Sequence, residues 1–157
     1  EHDSADFTCN QVLVFNLGFD RKGRDDVHWL YLADPSLVFY RVGFYDNILA
    51  GDRMSLYVEI GQRAGDVVDF DETRRRVLAD LARERIVEGH ELVAHHRVVM
   101  NPAYVHITQR SMAESARVRA LLGELGVHSI GRYGAWTYCS IEDNIVEARA
   151  LASALTD

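Results

Sequence analysis

Alternation of apolar and polar side chains near the start of the chain constrains the fold more than any other feature. One face of Gln11–Asp20 carries Leu13, Phe15, Leu17 and Phe19. Because successive side chains of a strand point to opposite faces, this spacing predicts a strand with one buried face. Similar alternation predicts strands at Val38–Tyr45 and Met54–Ile60, and a short aromatic run predicts one at Val27–Leu32. Their short connections favour antiparallel neighbours, and we expect a meander.

The period changes to that of helices after about residue 70. Phe70-Asp71-Glu72 opens the first predicted helix, with Asp71 as its N-cap. Its apolar stripe consists of Val77, Leu78, Leu81 and Ile86. Leu92–Met100 is predicted to return to strand.

Two further helices are predicted in the last third of the chain. Met112–Leu125 has helical spacing, and Gly126 suits the left-handed residue after its end. Val127–Gly131 is predicted as a short strand, and Ser140 as the cap of the last helix. The buried face of that helix would contain Ile141, Ile145, Ala148, Ala152 and Leu155. The predicted class is α+β, a mainly antiparallel sheet with helices packed on one side.

Charge and composition narrow the functions. The 157 residues contain 17 Lys+Arg and 24 Asp+Glu, a formal net charge of −7, which argues against a nucleic-acid or anionic-membrane binder. No apolar run reaches the roughly 18 residues that a membrane span needs. Cys9 and Cys139 lie far apart, which favours two reduced cysteines in a cytoplasmic protein over a zinc site or disulfide scaffold.

The densest candidate for chemistry is the segment Gly131–Asn144, GRYGAWTYCSIEDN. Its glycines would let backbone approach a ligand, and a capped helix start favours electron-rich groups. Arg132 could hold a phosphate, and Trp136 and Tyr138 could wall a planar ring. The alternative is a structural corner whose aromatic side chains belong to the core.

Other candidates have simpler explanations. His95 and His96 are adjacent on a predicted strand and would point to opposite faces, so we expect no metal site. The arginines at 74–76 and Arg83 are interspersed with Asp71, Glu72, Asp80 and Glu84, as on a solvated helix face. Neither Ser111 nor Ser140 lies in a nucleophile elbow, so a hydrolase is unsupported.

Arg41 is a more informative candidate. The pattern of the third strand puts Val38, Tyr40, Val42 and Phe44 on one face and Phe39, Arg41 and Tyr45 on the other. Arg41 is either an edge arginine whose stem covers apolar surface or an anion-binding residue in a pocket.

The segment GRYGAWTYCSIEDNIVEARALA resembles the C-terminal signature of FAD-dependent oxidoreductases of the amine-oxidase and protoporphyrinogen-oxidase type. It is similar, too, to the UDP-galactopyranose mutase branch. VHWLYLADPSLVFYRVGFYDN and SLYVEIG resemble strands of the family's substrate domain. NPAYVHI at Asn101–Ile107 resembles the strand before the penultimate helix, with Val105 where Pro is usual.

The resemblance implies a substrate-binding domain at residues 1–126 and a C-terminal segment of an FAD-binding domain at 127–157. Gly131 and Arg132 would lie near the FAD pyrophosphate, and Trp136 and Tyr138 near the isoalloxazine ring. Glu142, Asp143, Asn144 and Ile145 would form the helix start beneath the pyrimidine edge of the flavin. The residues expected to face a small-molecule substrate are Tyr40, Arg41 and Tyr104.

One element of the family is missing: no G-x-G-x-x-G follows a strand anywhere in the chain. We therefore expect Glu1 to lie inside a longer gene product, with an N-terminal FAD-binding portion in the same or another chain. The flavin would carry the chemistry, so no catalytic acid or base is assigned. Alternatives are a non-catalytic small-molecule-binding or interaction domain and a mutase-like, flavin-dependent sugar isomerase. A homo-oligomer is also left open.

Overall fold

The computed structural model describes residues 6–156, which form two compact units. One unit runs from Gln11 to Asn101, and we call it the sheet unit. The other, the helical unit, combines the chain from Pro102 onward with the N-terminal residues up to Asn10. The functional boundary predicted between residues 126 and 127 stays a prediction.

A five-stranded antiparallel sheet with helices forms the architecture, so the predicted α+β class is confirmed. The strands are β1 (Asn10–Phe19), β2 (Trp29–Tyr31), β3 (Arg41–Phe44), β4 (Ser55–Arg63) and β5 (Leu92–Met100). Helices α1 (Tyr45–Ile48) and α2 (Phe70–Arg83) complete the sheet unit.

The strand order is β2-β3-β4-β1-β5, which corrects the predicted four-strand meander. Only β2, β3 and β4 follow one another as expected. β1 lies between β4 and β5, and the Phe19 N–H donates to the Met54 carbonyl at 2.9 Å. The apolar alternation of β1 suits this central position, because its core-facing side chains need neighbours on both sides.

The third strand starts later than predicted, at Arg41 rather than Val38. Phe39 is buried in the core together with Val42 and Phe44, although alternation put it on the opposite face. Residues 32–40 are not part of a strand, so the two-residue alternation of side chains does not apply to them.

The core of the sheet unit lies between one sheet face and α2. The predicted β1 residues Leu13, Phe15, Leu17 and Phe19 are all buried there. Val77 and Leu81 contribute the buried stripe of α2.

Asp69, not Asp71, is the N-cap of α2. Its Oδ1 accepts the N–H groups of Asp71 at 3.1 Å and Glu72 at 3.0 Å. The cap therefore lies two residues before the predicted one, while the helix begins at Phe70 as expected. The capping carboxylate reaches the N–H groups two and three residues ahead.

The helical unit contains α3 (Gln109–Glu124), α4 (Gly131–Gly134) and α5 (Ile141–Thr156). Gly126 has φ +74°, as predicted for the residue that ends α3. The strand predicted at Val127–Gly131 is wrong: Gly131 begins α4, and no strand of the described chain pairs with this segment.

The face of α5 that the sequence assigned to the core is exposed in this unit. The exposed fractions of Ile141, Ile145 and Leu155 are 83%, 55% and 62%, and no described residue of α5 is buried. The prediction of a buried face is therefore wrong for the chain as described. The spacing identified an apolar stripe correctly, but no element of the described chain buries it.

None of the helices within residues 6–156 has the length and apolar composition to cross a bilayer.

Candidate functional site

The candidate cofactor segment begins at Gly131, whose conformation only glycine adopts easily. Its φ is +78°, and a Cβ there would lie 2.8 Å from Asn144 Oδ1. The Gly131 N–H donates to Glu147 Oε2 at 2.9 Å. Gly131 thus allows the start of α4 to approach α5 closely.

Arg132 has a guanidinium held by three neighbours. Its Cζ lies 5.5 Å from the centre of the Tyr104 ring and 5.1 Å from that of Tyr138. One terminal nitrogen donates to the Cys139 carbonyl at 2.7 Å. These contacts orient a positive charge without neutralising it, as a binding group for an anion requires.

A capping box starts α5. Ser140 Oγ accepts the Asp143 N–H at 3.0 Å, and Asp143 Oδ2 accepts the Ser140 N–H at 2.7 Å. That backbone hydrogen bond, followed by one from the Ser140 hydroxyl, lowers the pKa of Asp143 below its ordinary value. The predicted cap is confirmed.

The first turn of α5 would interact with a ligand in two ways. The N–H groups of Ile141 and Glu142 have no acceptor inside a helix, and the helix dipole favours electron-rich groups there. The carboxylates of Glu142 and Asp143 oppose a full negative charge at the same place. A neutral carbonyl therefore fits this turn better than a phosphate, which leaves Arg132 as the group suited to phosphate.

Three predicted cofactor residues share one concavity of about 470 Å³: Gly131, Arg132 and Asn144. Cys139 and Ser140 also line it. The fixed guanidinium suits the phosphates of a dinucleotide, while the helix start and a glycine with no Cβ in the way suit the close approach of its neutral groups. Glu142, Asp143 and Ile145 lie on the first turns of α5 but do not line the concavity.

Trp136 belongs to a different cavity. Its ring meets Phe7 edge-on at 5.2 Å, and both residues line a space of about 200 Å³ with Ser115 and Leu122. Its φ is +50°, a strained value for a side chain of this size. Nε1 is buried with no hydrogen-bond partner in the described chain. Trp136 and Tyr138 were both expected beside one flavin ring, but they have different surroundings. Trp136 packs against Phe7, whereas Tyr138 packs against Arg132.

The predicted substrate residues fall into separate units. Tyr104 belongs to the helical unit, beneath the Arg132 guanidinium. Tyr40 and Arg41 belong to the sheet unit and share the carboxylate of Glu59. The Tyr40 hydroxyl donates to Glu59 Oε2 at 2.5 Å, and Arg41 forms an ion pair with Oε1.

Aromatic rings surround Arg41. Its Cζ lies 5.7 Å from the centre of the Tyr31 ring and 5.4 Å from that of Tyr57. Burial opposes its charge, but the hydrogen bond to Tyr31 and the carboxylate of Glu59 outweigh burial and raise the pKa of Arg41. Arg41 Nε is buried without a partner in the described chain.

Sequence reasoning missed Tyr31, Tyr57 and Glu59 as neighbours of Arg41. Tyr57 and Glu59 alternate with the buried Leu56, Val58 and Ile60, so the pattern of one strand says nothing about what they contact on the opposite face. Only the register, which sets Arg41 opposite both Glu59 and Tyr31, brings these side chains together.

No metal-binding group of three or more His, Cys, Asp or Glu residues occurs between residues 6 and 156.

The fold is that of parts of larger enzymes. It is similar to a reduced UDP-galactopyranose mutase, with a TM-score of 0.74 and 18% identity over 86% of this chain and 30% of the other. It is similar as well to a protein from Exiguobacterium sp. 255-15 provisionally assigned as a protoporphyrinogen oxidase. That match has a TM-score of 0.69 and 16% identity, and it covers 95% of this chain and 35% of the other.

The chain thus spans about a third of the length of these two structures. No protein-family model and no curated protein sequence matches it. At such identities the likeness shows the fold alone.

Proposed function

We propose that the chain is the C-terminal portion of an FAD-dependent oxidoreductase of the amine-oxidase-like type. The sheet unit would supply a substrate-binding domain, and the segment from Gly131 to Ile145 would supply part of the flavin site. The observation that carries the proposal is the oriented guanidinium of Arg132, which lies beside the capped start of α5 and forms no ion pair with any acid among residues 6–156.

The fold supports this proposal independently of the site. The two similar structures are named as enzymes of the types that the segment beginning at Gly131 resembles. Each match covers most of this chain. The exposed apolar face of α5 agrees with a segment that another part of the protein covers.

Within this proposal the residues of the chain bind and orient the cofactor. Bound FAD would supply the redox chemistry. Arg132 would pair with its pyrophosphate, and the first-turn N–H groups of α5 would donate to a flavin carbonyl. Gly131 would keep a Cβ out of the cradle, and Tyr138 would hold Arg132 in place.

The partner in this proposal is an N-terminal FAD-binding portion, in the same or another chain, which would bring the missing dinucleotide fingerprint. A small molecule would be the substrate, and the cytoplasm the compartment. Because the chain spans a third of the similar structures, the activity of the whole protein belongs to the proposal.

A mutase-like sugar isomerase is the second candidate, favoured by the similarity to UDP-galactopyranose mutase. It would need reduced flavin and would consume no net oxidant. An assay of oxygen consumption during turnover separates the two candidates.

FAD binding by the native polypeptide that contains this chain tests the proposal. We expect Arg132→Gln to weaken binding about tenfold or more, because a charge-assisted hydrogen bond contributes about 1.5–3 kcal/mol. Arg117→Gln is the matched control, since Arg117 pairs with Glu114 on the exposed side of α3. Equal affinity in both variants would contradict the assignment of Arg132.

A further inference from the structure

The sheet unit carries an aromatic surface on the face opposite its core. Trp29, Gly43 and Tyr57 lie opposite one another on β2, β3 and β4. Tyr31, Arg41 and Glu59 form the next row in the same register. Residues paired in register share a face, and Val42 and Val58 between these rows point into the core. We call Trp29, Tyr31 and Tyr57 the aromatic surface.

Gly43 leaves the space that one of these rings fills. A Cβ at position 43 would lie 2.0 Å from Tyr57 Cε1, so the ring lies across the β3 backbone. Tyr57 in turn contacts the Tyr45 ring, with centroids 5.0 Å apart. Trp29 and Tyr31 keep 57% and 67% of their surface exposed. The rings of Trp29 and Tyr31 are therefore accessible to solvent, and they lie beside the well-packed ring of Tyr57.

The aromatic surface lacks the free positive charge that an anion-binding site needs. Arg41 is the cation next to the rings, and its ion pair with Glu59 neutralises it. Glu59 is only 5% exposed and also accepts the Tyr40 hydroxyl, so it is firmly held. An anion that approached Arg41 would meet the Glu59 carboxylate beside it, and like charges at such distances repel.

We propose that Glu59 is a specificity-determining residue, which cancels the charge of Arg41 so that the aromatic surface binds an uncharged ring rather than a phosphate or carboxylate. The inference rests on the proposed function of the sheet unit as a substrate domain. Arg41 then acts by positioning: it donates a hydrogen bond to the Tyr31 hydroxyl at 3.2 Å, and its guanidinium contacts the rings of both Tyr31 and Tyr57. The bound ring stacks on aromatic faces, as unsaturated rings do on such surfaces.

Uridine and UDP form a matched pair of probes, since both contain the same uncharged base and only UDP carries a diphosphate. Their affinities for the 157-residue chain can be measured from shifts of the Tyr and Trp side-chain NMR signals. We expect equal affinities for the wild-type chain and no dependence on salt concentration. A cationic receptor would instead favour UDP and lose that preference as salt increases.

Glu59→Gln tests the specificity directly, because it keeps the shape of the side chain and frees the charge of Arg41. The expected result is a preference of about tenfold for UDP, the ratio that one charge-assisted hydrogen bond provides. Adding Arg41→Gln to this variant should remove the preference again. Glu72→Gln is the control, since Glu72 pairs with Arg75 on α2 and should leave the ratio at one.

Three results would overturn the inference: a salt-sensitive preference of the wild-type chain for UDP, no gain in preference in a folded Glu59→Gln variant, or no binding of uridine. If Glu59→Gln does not fold, the wild-type salt series decides alone. Failure here leaves the FAD proposal standing, because flavin binding is measured on Arg132 in the other unit. Absence of flavin binding would in turn remove the substrate role without changing the UDP to uridine ratio.

Discussion

The ring of Tyr57 on β4 occupies the space where a side chain of Gly43 on β3 would be. The two residues are register partners, and a Cβ on Gly43 would approach Tyr57 Cε1 to 2.0 Å. The glycine therefore has a packing role, and the orientation of a tyrosine beside Arg41 depends on it.

Gly43→Ala is expected to destabilise the sheet unit. The new methyl group must displace the Tyr57 ring, and forced overpacking of this kind lowers the free energy of unfolding by about 1–3 kcal/mol. Gly18→Ala on β1 is the control, because a Cβ there would lie at an ordinary 3.6 Å from the Ala94 Cβ. Urea unfolding of both variants measures the difference, and equal effects would contradict the packing role.

Tyr57 is expected to make stability depend on alkaline pH. Burial, the largest effect on this phenol, raises its pKa above the ordinary value of 10.0. In the pH range just above 10 the unfolded chain loses this proton while the folded chain retains it. The free energy of unfolding therefore falls as pH rises through the folded-state pKa.

Tyr57→Phe removes that contribution, since phenylalanine does not titrate. Unfolding measured between about pH 9 and 11 should decline less steeply in this variant than in the wild type. The same steepness in both proteins would mean that Tyr57 does not carry the effect.

Gly131→Ala is expected to destabilise the helical unit more than Gly126→Ala does. Both glycines have left-handed φ values, +78° and +74°, and a side chain in that conformation costs about 1–2 kcal/mol. A Cβ on Gly126 meets nothing within 4 Å, whereas one on Gly131 meets Asn144 Oδ1 at 2.8 Å. The difference between the two unfolding free energies isolates the contact with α5. No difference would show that Asn144 moves aside freely.

Arg85→Gly is expected to stabilise the sheet unit. Arg85 follows the end of α2 with φ +56°, a position that glycine occupies without strain. The melting temperature should rise by an amount that corresponds to about 1 kcal/mol or less, because glycine also loses more freedom on folding. Ala82→Gly inside α2 should have the opposite effect. A lower melting temperature for Arg85→Gly would contradict the assigned strain.

The sequence predicts the elements of this fold better than their arrangement. The alternation in β1 and the spacing in α2 report burial directly, and Leu13, Phe15, Val77 and Leu81 are buried as predicted. Strand order depends on contacts between distant segments, and a local pattern contains no record of β5 beside β1. The exposed stripe of α5 shows the same limit, since periodicity identifies an apolar face without naming what covers it.

The candidate site was predictable where it is continuous in sequence. Gly131, Arg132 and Asn144 lie within fourteen residues of one another and meet at one concavity. The partners of Arg41 come from two other strands, β2 and β4, and only the register aligns Tyr31, Arg41 and Glu59. Trp136 differs from both cases, because its left-handed backbone turns it toward Phe7, more than a hundred residues away.

The visible absorption spectrum of the native polypeptide that contains this chain tests the central claim most directly. Its mass establishes what accompanies residues 1–157, and the spectrum is recorded before and after addition of FAD. We predict the absorption bands of a bound flavin in the wild-type protein and weaker binding in Arg132→Gln. A protein that stays colourless after FAD is added and the excess is removed would contradict the account and favour a binding module without a cofactor.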